Sequence, residues 1–169
     1  FKNVLVNESE LVSELGKGIY LIDAVMPQIL ISLSAEALGI MATLNTLTLE
    51  YSKTRQQFGA PIGSFQVIQH RMVDTFMACE QSKSMLYRGL CIAKNVEQGA
   101  ADQFDLAKTA HALKATIARD GKLRGQEGIQ LHGGIGMTEW LKLGTFVKRL
   151  VRSERAFGDG GYTQRKLNG

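Results

Sequence analysis

From Ile19 to Thr54, apolar residues recur at helical spacing: Ile22, Val25, Ile29, Leu33, Ala37, Ile40, Leu44, Leu47 and Tyr51. The run is too long for an isolated surface helix, so it must bury its stripe as a core member of a helical bundle. Pro27 lies inside it, lacks an N–H and crowds the preceding turn, which predicts a kink or a late helix start. Gly59, Pro61 and Gly63 then break the pattern, and Ser64 is a suitable N-cap for a second helix that runs to about Val96. Val67, Met72, Val73, Phe76, Cys79, Met85 and Leu86 are read as its inner side.

Gly99 stops that helix, and Asp102 is placed to cap a third through about Leu123, with Leu106, Ala110, Leu113 and Ile117 facing inward. A shorter fourth helix is predicted over Thr138–Ser153, and a last helical piece over Asp159–Leu167. Long helices joined by short loops favour antiparallel neighbours, so the fold class is all-α, an up-down four-helix bundle. Residues 1–15 read instead as a short extended piece, followed by a turn at Gly16 and Gly18. The glycines grouped over 121–144 and 158–161 read as turns.

A hydrophobic share of 44% is enough for a real core and argues against disorder. A net charge of +4 suits anionic ligands such as phosphates but is too small and dispersed to argue for nucleic acid. Cys79 and Cys91 sit in a helical pattern and are read as two buried small hydrophobes rather than a disulfide; no Cys or His spacing suggests a metal site. With no cleavable signal and no long uncharged apolar run, no membrane span is expected and the expected setting is cytoplasmic. A chain that opens at Phe1 reads as a fragment of something longer.

Two segments place polar groups where a large anion can dock. In Arg55-Gln56-Gln57-Phe58-Gly59-Ala60-Pro61-Ile62-Gly63-Ser64-Phe65-Gln66, Arg55 either complements the end of a helix dipole or clamps a phosphate with its permanently charged fork. Phe58 is either a core anchor under the turn or a cover for a planar ring, and Gln66 bonds either a ligand or water. In Gln130-Leu131-His132-Gly133-Gly134-Ile135-Gly136, the paired glycines leave backbone amides open to close approach. The segment lacks the preceding strand and full glycine spacing of a dinucleotide fingerprint, so a Rossmann reading is rejected. His132, like His70 and His111, is more often a structural hydrogen-bonder than a catalyst. Glu139, Glu154 and Asp159 read by default as solvated charges or helix caps.

The order Tyr51-x-x-x-Arg55-Gln56-x-Phe58-Gly59-x-Pro61-Ile62-x-x-Phe65-Gln66, followed by Gln130-Leu131-His132-Gly133-Gly134-Ile135-Gly136-Met137-Thr138, resembles the acyl-CoA dehydrogenase family over roughly residues 19–169. The resemblance implies that residues 1–18 end a middle β domain and its linker, and that 19–169 form the family's C-terminal helical domain. The Ala35-Glu36-Ala37-x-Gly39 run, Lys53-Thr54-Arg55-Gln56 and Phe157-Gly158-Asp159 look closest to small subunits of pimeloyl-CoA dehydrogenase, a branch acting on dicarboxylyl-CoA or steroid side-chain thioesters.

The implied chemistry is α,β-desaturation of an acyl-CoA thioester with FAD as cofactor and electron-transfer flavoprotein as acceptor. By the same resemblance Arg55 and Phe58 hold FAD, Gln66 meets its adenine side, and Gln130 with Gly134 meet the FAD of a neighbouring subunit. A complete site then needs a homo- or hetero-oligomer. The family's catalytic Glu falls at Gly158, and its alternative position near Ile29 cannot act as a base, which leaves Asp159 as the catalytic candidate with a shorter reach. The alternatives are a catalytically silent scaffold subunit of a hetero-oligomeric dehydrogenase and a cofactor-free helical interaction module.

Overall fold

The computed structural model describes residues 2–138 and 142–168. Five α-helices carry the fold: α1 (Gly18–Thr54), α2 (Gln66–Glu97), α3 (Gln103–His132), α4 (Leu143–Arg155) and α5 (Gly160–Asn168). The first four alternate in direction as the expected all-α bundle, and α5 closes against α3. Short 3-10 turns lie at Glu8–Glu10, Ile62–Ser64 and Gly133–Met137. The only strands among the described residues are β1 (Gln56–Gln57) and β2 (Ala60–Pro61), a two-residue antiparallel hairpin. Glu139, read from the sequence as a solvated charge, lies outside the described residues.

The centre of the molecule is α3, which touches the other four helices. Its inward register runs Leu106, Ala110, Leu113, Ile117, Gly121, Arg124, Gly128 and Leu131, the i, i+3, i+4, i+7 spacing of a continuous helix stripe. Asp102 caps it as expected, its Oδ1 accepting the Asp105 N–H at 2.7 Å. The helix does not end near Leu123 but continues to His132. Of the glycines read as turns, Gly121, Gly125 and Gly128 therefore lie inside it and serve packing, whereas Gly133, Gly134 and Gly136 form the turn that follows. A Cβ at Gly121 would lie 3.7 Å from Leu150, at Gly125 3.4 Å from Val147, and at Gly128 3.8 Å from Leu143. Leu143, Val147 and Leu150 are one face of α4, seated in a groove made by three missing side chains. Gly125→Val is expected to push α4 outward and lower stability by about 1–3 kcal/mol, read as a fall in the urea midpoint at unchanged m-value.

The first helix starts at Gly18, so Pro27 neither delays nor ends it; its buried ring sits nine residues in. Ile22 and Val25, expected in the core, are 54% and 45% exposed. At 37 residues α1 is longer than the 30 of α3, and Ile19, Tyr20, Ile22 and Val25 of its first turns are exposed. Among the described residues, α1 is long and apolar enough to cross a membrane by length and composition, although Asp23, Glu36 and Glu50 leave it no long uncharged run; its buried stripe packs against α3 within the bundle.

The inner face of α2 differs from the expected one. Thr75, Ala78, Cys79, Ser82, Leu86 and Gly89 are buried, whereas Val67, Val73 and Phe76 are more than half exposed. The helix approaches α1 and α3 too closely for large side chains: a Cβ on Gly89 would lie 3.6 Å from both Ile31 and Leu113. Cys79 is buried as read, but Cys91 is exposed, and both are free thiols. Nor does Ser64 cap α2; Phe65 holds that position, and the Ser64 hydroxyl donates to Pro61 O at 2.7 Å.

Candidate functional site

The antiparallel order brings the C-terminus of α1, the N-terminus of α2 and the C-terminus of α3 to one end of the bundle. The break between α1 and α2 is a built hairpin. Phe58 and Gly59 have φ of 53° and 80°, the two positive values that a two-residue hairpin turn requires. Ile62 N–H donates to Arg55 O at 2.8 Å and closes the loop, while Gln69 Nε2 donates to Gly63 O at 2.9 Å. Gly63 lies against α1, where a Cβ would meet Ser52 O at 3.0 Å. The hairpin cannot take a larger residue there without lifting off the helix.

The turn presents its side chains outward. Phe58 is 93% exposed rather than a core anchor, its ring edge-on to Phe65 at 6.2 Å. Arg55 and Gln66 are exposed, and Arg55 has no ion-pair partner among the described residues. An exposed aromatic three residues from a guanidinium with no ion-pair partner among the described residues is an arrangement that folding alone does not call for.

At the facing corner, α3 ends where Gly133 takes φ 62°. Gln130 and Gly134 are exposed, and an added Cβ at Gly134 meets nothing within 4 Å. Gly136 by contrast is pressed onto α3, its would-be Cβ 2.8 Å from Ile129 O. The corners meet through Tyr51 and His132, whose rings stack at 4.4 Å and 27° while the Tyr51 hydroxyl donates to His132 O at 3.3 Å.

His132 is structural, as the sequence reading favoured. It is buried and its Nδ1 bonds Gly128 O at 2.8 Å. Burial holds its pKa below the ordinary histidine value, the Gly128 carbonyl pulls upward against it, and Arg124 adds to the depression. Burial, helped by Lys166, depresses His111 in the same direction. The unfolded chain takes up these protons near pH 6.5 and the folded chain only at lower pH. Their contribution is therefore whole above that value and is lost as the pH falls through the folded pKa. The melting temperature is expected to fall between pH 7.5 and 5.5, and to fall less in His132→Gln; equal falls would mean that the ring does not titrate in this way.

Asp159 lies elsewhere. Gly160 packs on Ala118, and twelve residues of α3 separate Ala118 from Gln130, roughly 18 Å at 1.5 Å per residue. Asp159 lines a cleft of about 890 Å³ between α3, α4 and α5, together with Lys122, Arg155 and Arg165. Its Oδ1 accepts the Tyr162 N–H at 2.7 Å, the bond of a helix cap.

Two buried cations escaped the sequence reading. Arg124 is 1% exposed, donates to Leu44 O and to Thr48 Oγ1 at 2.5 Å, and is lowered by burial to about 10. Lys114, equally buried, donates to Ser153 O and to Glu154 O at 2.9 Å, holding the last carbonyls of α4. Arg124 falls in the inward register of α3, and continuing that stripe past Ile117 would have located it; Lys114 lies beside the stripe, next to Leu113.

Comparison with known proteins agrees with this architecture. The family described as acyl-CoA dehydrogenase, C-terminal domain, matches residues 16–161. A mitochondrial isovaleryl-CoA dehydrogenase of Arabidopsis thaliana is 31% identical over 165 residues, covering 96% of this chain and 37% of that protein. The solved structure of PigA with FAD and proline superposes with a TM-score of 0.88 at 29% identity, over 99% of this chain and 42% of that one. Butyryl-CoA dehydrogenase from Megasphaera elsdenii shares the fold with a TM-score of 0.83 at 24% identity, over 93% and 39% of the two chains. The chain thus spans less than half the length of the proteins it matches. With its motifs gathered at one end of an all-helical bundle, the chain belongs to the acyl-CoA dehydrogenase family and corresponds to its C-terminal helical domain.

Proposed function

We propose that this domain forms one wall of an FAD site in an acyl-CoA dehydrogenase that desaturates an acyl-CoA thioester between Cα and Cβ. The observation that carries the reading is the corner itself: two motifs distant in sequence meet through Tyr51 and His132 and leave Arg55, Phe58, Gln66 and Gln130 exposed around the bare backbone of Gly134. These residues fit the cofactor's chemistry. Arg55 offers a fork for a pyrophosphate, Phe58 an exposed face for a planar ring, and Gln66 and Gln130 amides for nucleotide edges. The bare backbone at Gly134 allows close approach. Flavin, when bound, supplies the hydride acceptor. The chain's own part is to bind and orient it.

Similarity to an isovaleryl-CoA dehydrogenase and to PigA with FAD supports the substrate class and the cofactor. The exposed Val73, Phe76, Met77 and Leu90 of α2 form an apolar face suited to another dehydrogenase subunit, homo- or hetero-oligomeric, and electron-transfer flavoprotein suits the acceptor role. The test is titration of FAD into the flavin-free full-length protein, followed by flavin absorbance and fluorescence. Uptake supports the reading, and a folded protein that takes up none overturns it.

A second reading, the catalytically silent subunit, draws on the α4–α5 corner. Gly158 has φ 102°, and a Cβ there would lie 2.3 Å from Tyr162 Cδ1, so no carboxylate-bearing side chain fits while Tyr162 holds its place. The Asp159 carboxylate is engaged by its own helix. Asp159→Asn preserves the cap, and turnover is expected to stay near that of wild type when a partner subunit carries the base. A loss of about a hundredfold or more with flavin still bound would instead make Asp159 the base.

A further inference from the structure

We propose that Tyr51 and His132 form a clip that sets the spacing between the two halves of this corner, which makes Tyr51 a positioning residue for the flavin; the inference rests on the FAD reading above. The hairpin begins from Tyr51: its carbonyl accepts the Arg55 N–H at 2.8 Å and the Thr54 hydroxyl at 3.3 Å. Its side chain reaches the other half, donating to the final carbonyl of α3 at 3.3 Å and stacking on the His132 ring. That carbonyl also opens the 3-10 turn Gly133–Met137, for which His132 is the N-cap, so the hydroxyl adds a second bond to it and ties the start of that turn to α1.

The clip has a fixed end. The His132 ring is 4% exposed and tied to Gly128 O at 2.8 Å, so it cannot swing to follow a moving tyrosine. Beyond it, Gly136 presses the following turn onto Ile129 O, which leaves the 133–135 backbone as the arch between two pinned points. A continuous path of direct contacts therefore runs from Arg55 through Tyr51 and His132 to Gly134. Without the clip, the two motifs are tied by Arg71 of α2, whose Nε and Nη2 donate to the Glu127 carboxylate of α3 at 2.6 and 2.9 Å, and through the bodies of α1 and α3, whose ends fray first.

The test uses the full-length protein and three variants. Tyr51→Leu removes both stack and hydroxyl and is expected to raise the FAD dissociation constant about tenfold, whereas Tyr51→Phe, which keeps the stack, changes it about threefold or less. In the flavin-free protein, amide hydrogen exchange across residues 133–138 is expected to speed up in Tyr51→Leu but not in Arg55→Ala, a separation that general loosening of the bundle would not produce. Wild-type flavin affinity in Tyr51→Leu, with affinity lost in Arg55→Ala, overturns the clip while sparing the FAD reading. Wild-type affinity in both overturns the FAD reading and the clip with it. Should Tyr51→Leu not fold, Tyr51→Met, which likewise removes both ring and hydroxyl, carries the exchange arm, and unchanged exchange across 133–138 then overturns the proposal.

Discussion

Replacing Arg55 with alanine in the full-length protein is expected to weaken FAD binding by roughly ten- to a hundredfold, the worth of one or two charge-assisted hydrogen bonds. The guanidinium sits just past the end of α1, exposed and without an acidic partner among the described residues, so the substitution removes no contact the fold depends on. Thermal stability of the flavin-free protein should move by no more than about 0.5 kcal/mol, as for other surface changes away from structural features. Arg55→Lys keeps the charge but not the planar fork, and should recover only part of the affinity. Flavin fluorescence titration reads all three proteins. Equal dissociation constants would remove Arg55 from the cofactor site and leave it the lesser role of complementing the dipole of α1.

The largest expected effect on stability belongs to Leu113→Ala. Leu113 is 0% exposed at the middle of α3 and sits beside Gly89 of α2, which in turn faces Ile31 of α1. Three helices therefore meet around one side chain. Truncation leaves a cavity that cannot close, because α2 already approaches through a glycine. The expected cost is about 3–4 kcal/mol, within the range of large-to-small core changes, or a fall of about 10 °C in melting temperature for a chain of this size. A urea series on wild type and variant measures it. A loss below about 1 kcal/mol would mean that α3 is not the element on which the others rest.

The two positions also show what the sequence discloses. Spacing alone assigns Leu113 to the core, together with Leu106, Ala110 and Ile117, and all four are buried. Asp102 was assigned as a cap for an equally local reason. Phe58 was harder, because a large aromatic in a turn is compatible with both core and surface; the hairpin's positive φ values, not its composition, turn the ring outward. Gly121, Gly125 and Gly128 read as turns in the sequence because glycine marks turns and close helix contacts alike, and only the presence of Leu143, Val147 and Leu150 across the groove separates the two. Val73 and Phe76 lie outside rather than inside for the complementary reason: small residues, not large ones, form most of the inner face of a helix that packs this closely.

Local rules were therefore enough for the helical class, the hairpin break, the cap at Asp102 and the resemblance carried by the Arg55 and His132 segments. Each depends on residues within a few turns of one another. The meeting of those segments through Tyr51, the burial of Arg124 and Lys114, and the engagement of Asp159 as a cap beside a position closed by Tyr162 were decided only by tertiary structure. Each depends on groups brought together from different helices, or on the space a neighbouring side chain leaves, and neither is encoded in the spacing of residues along a single segment.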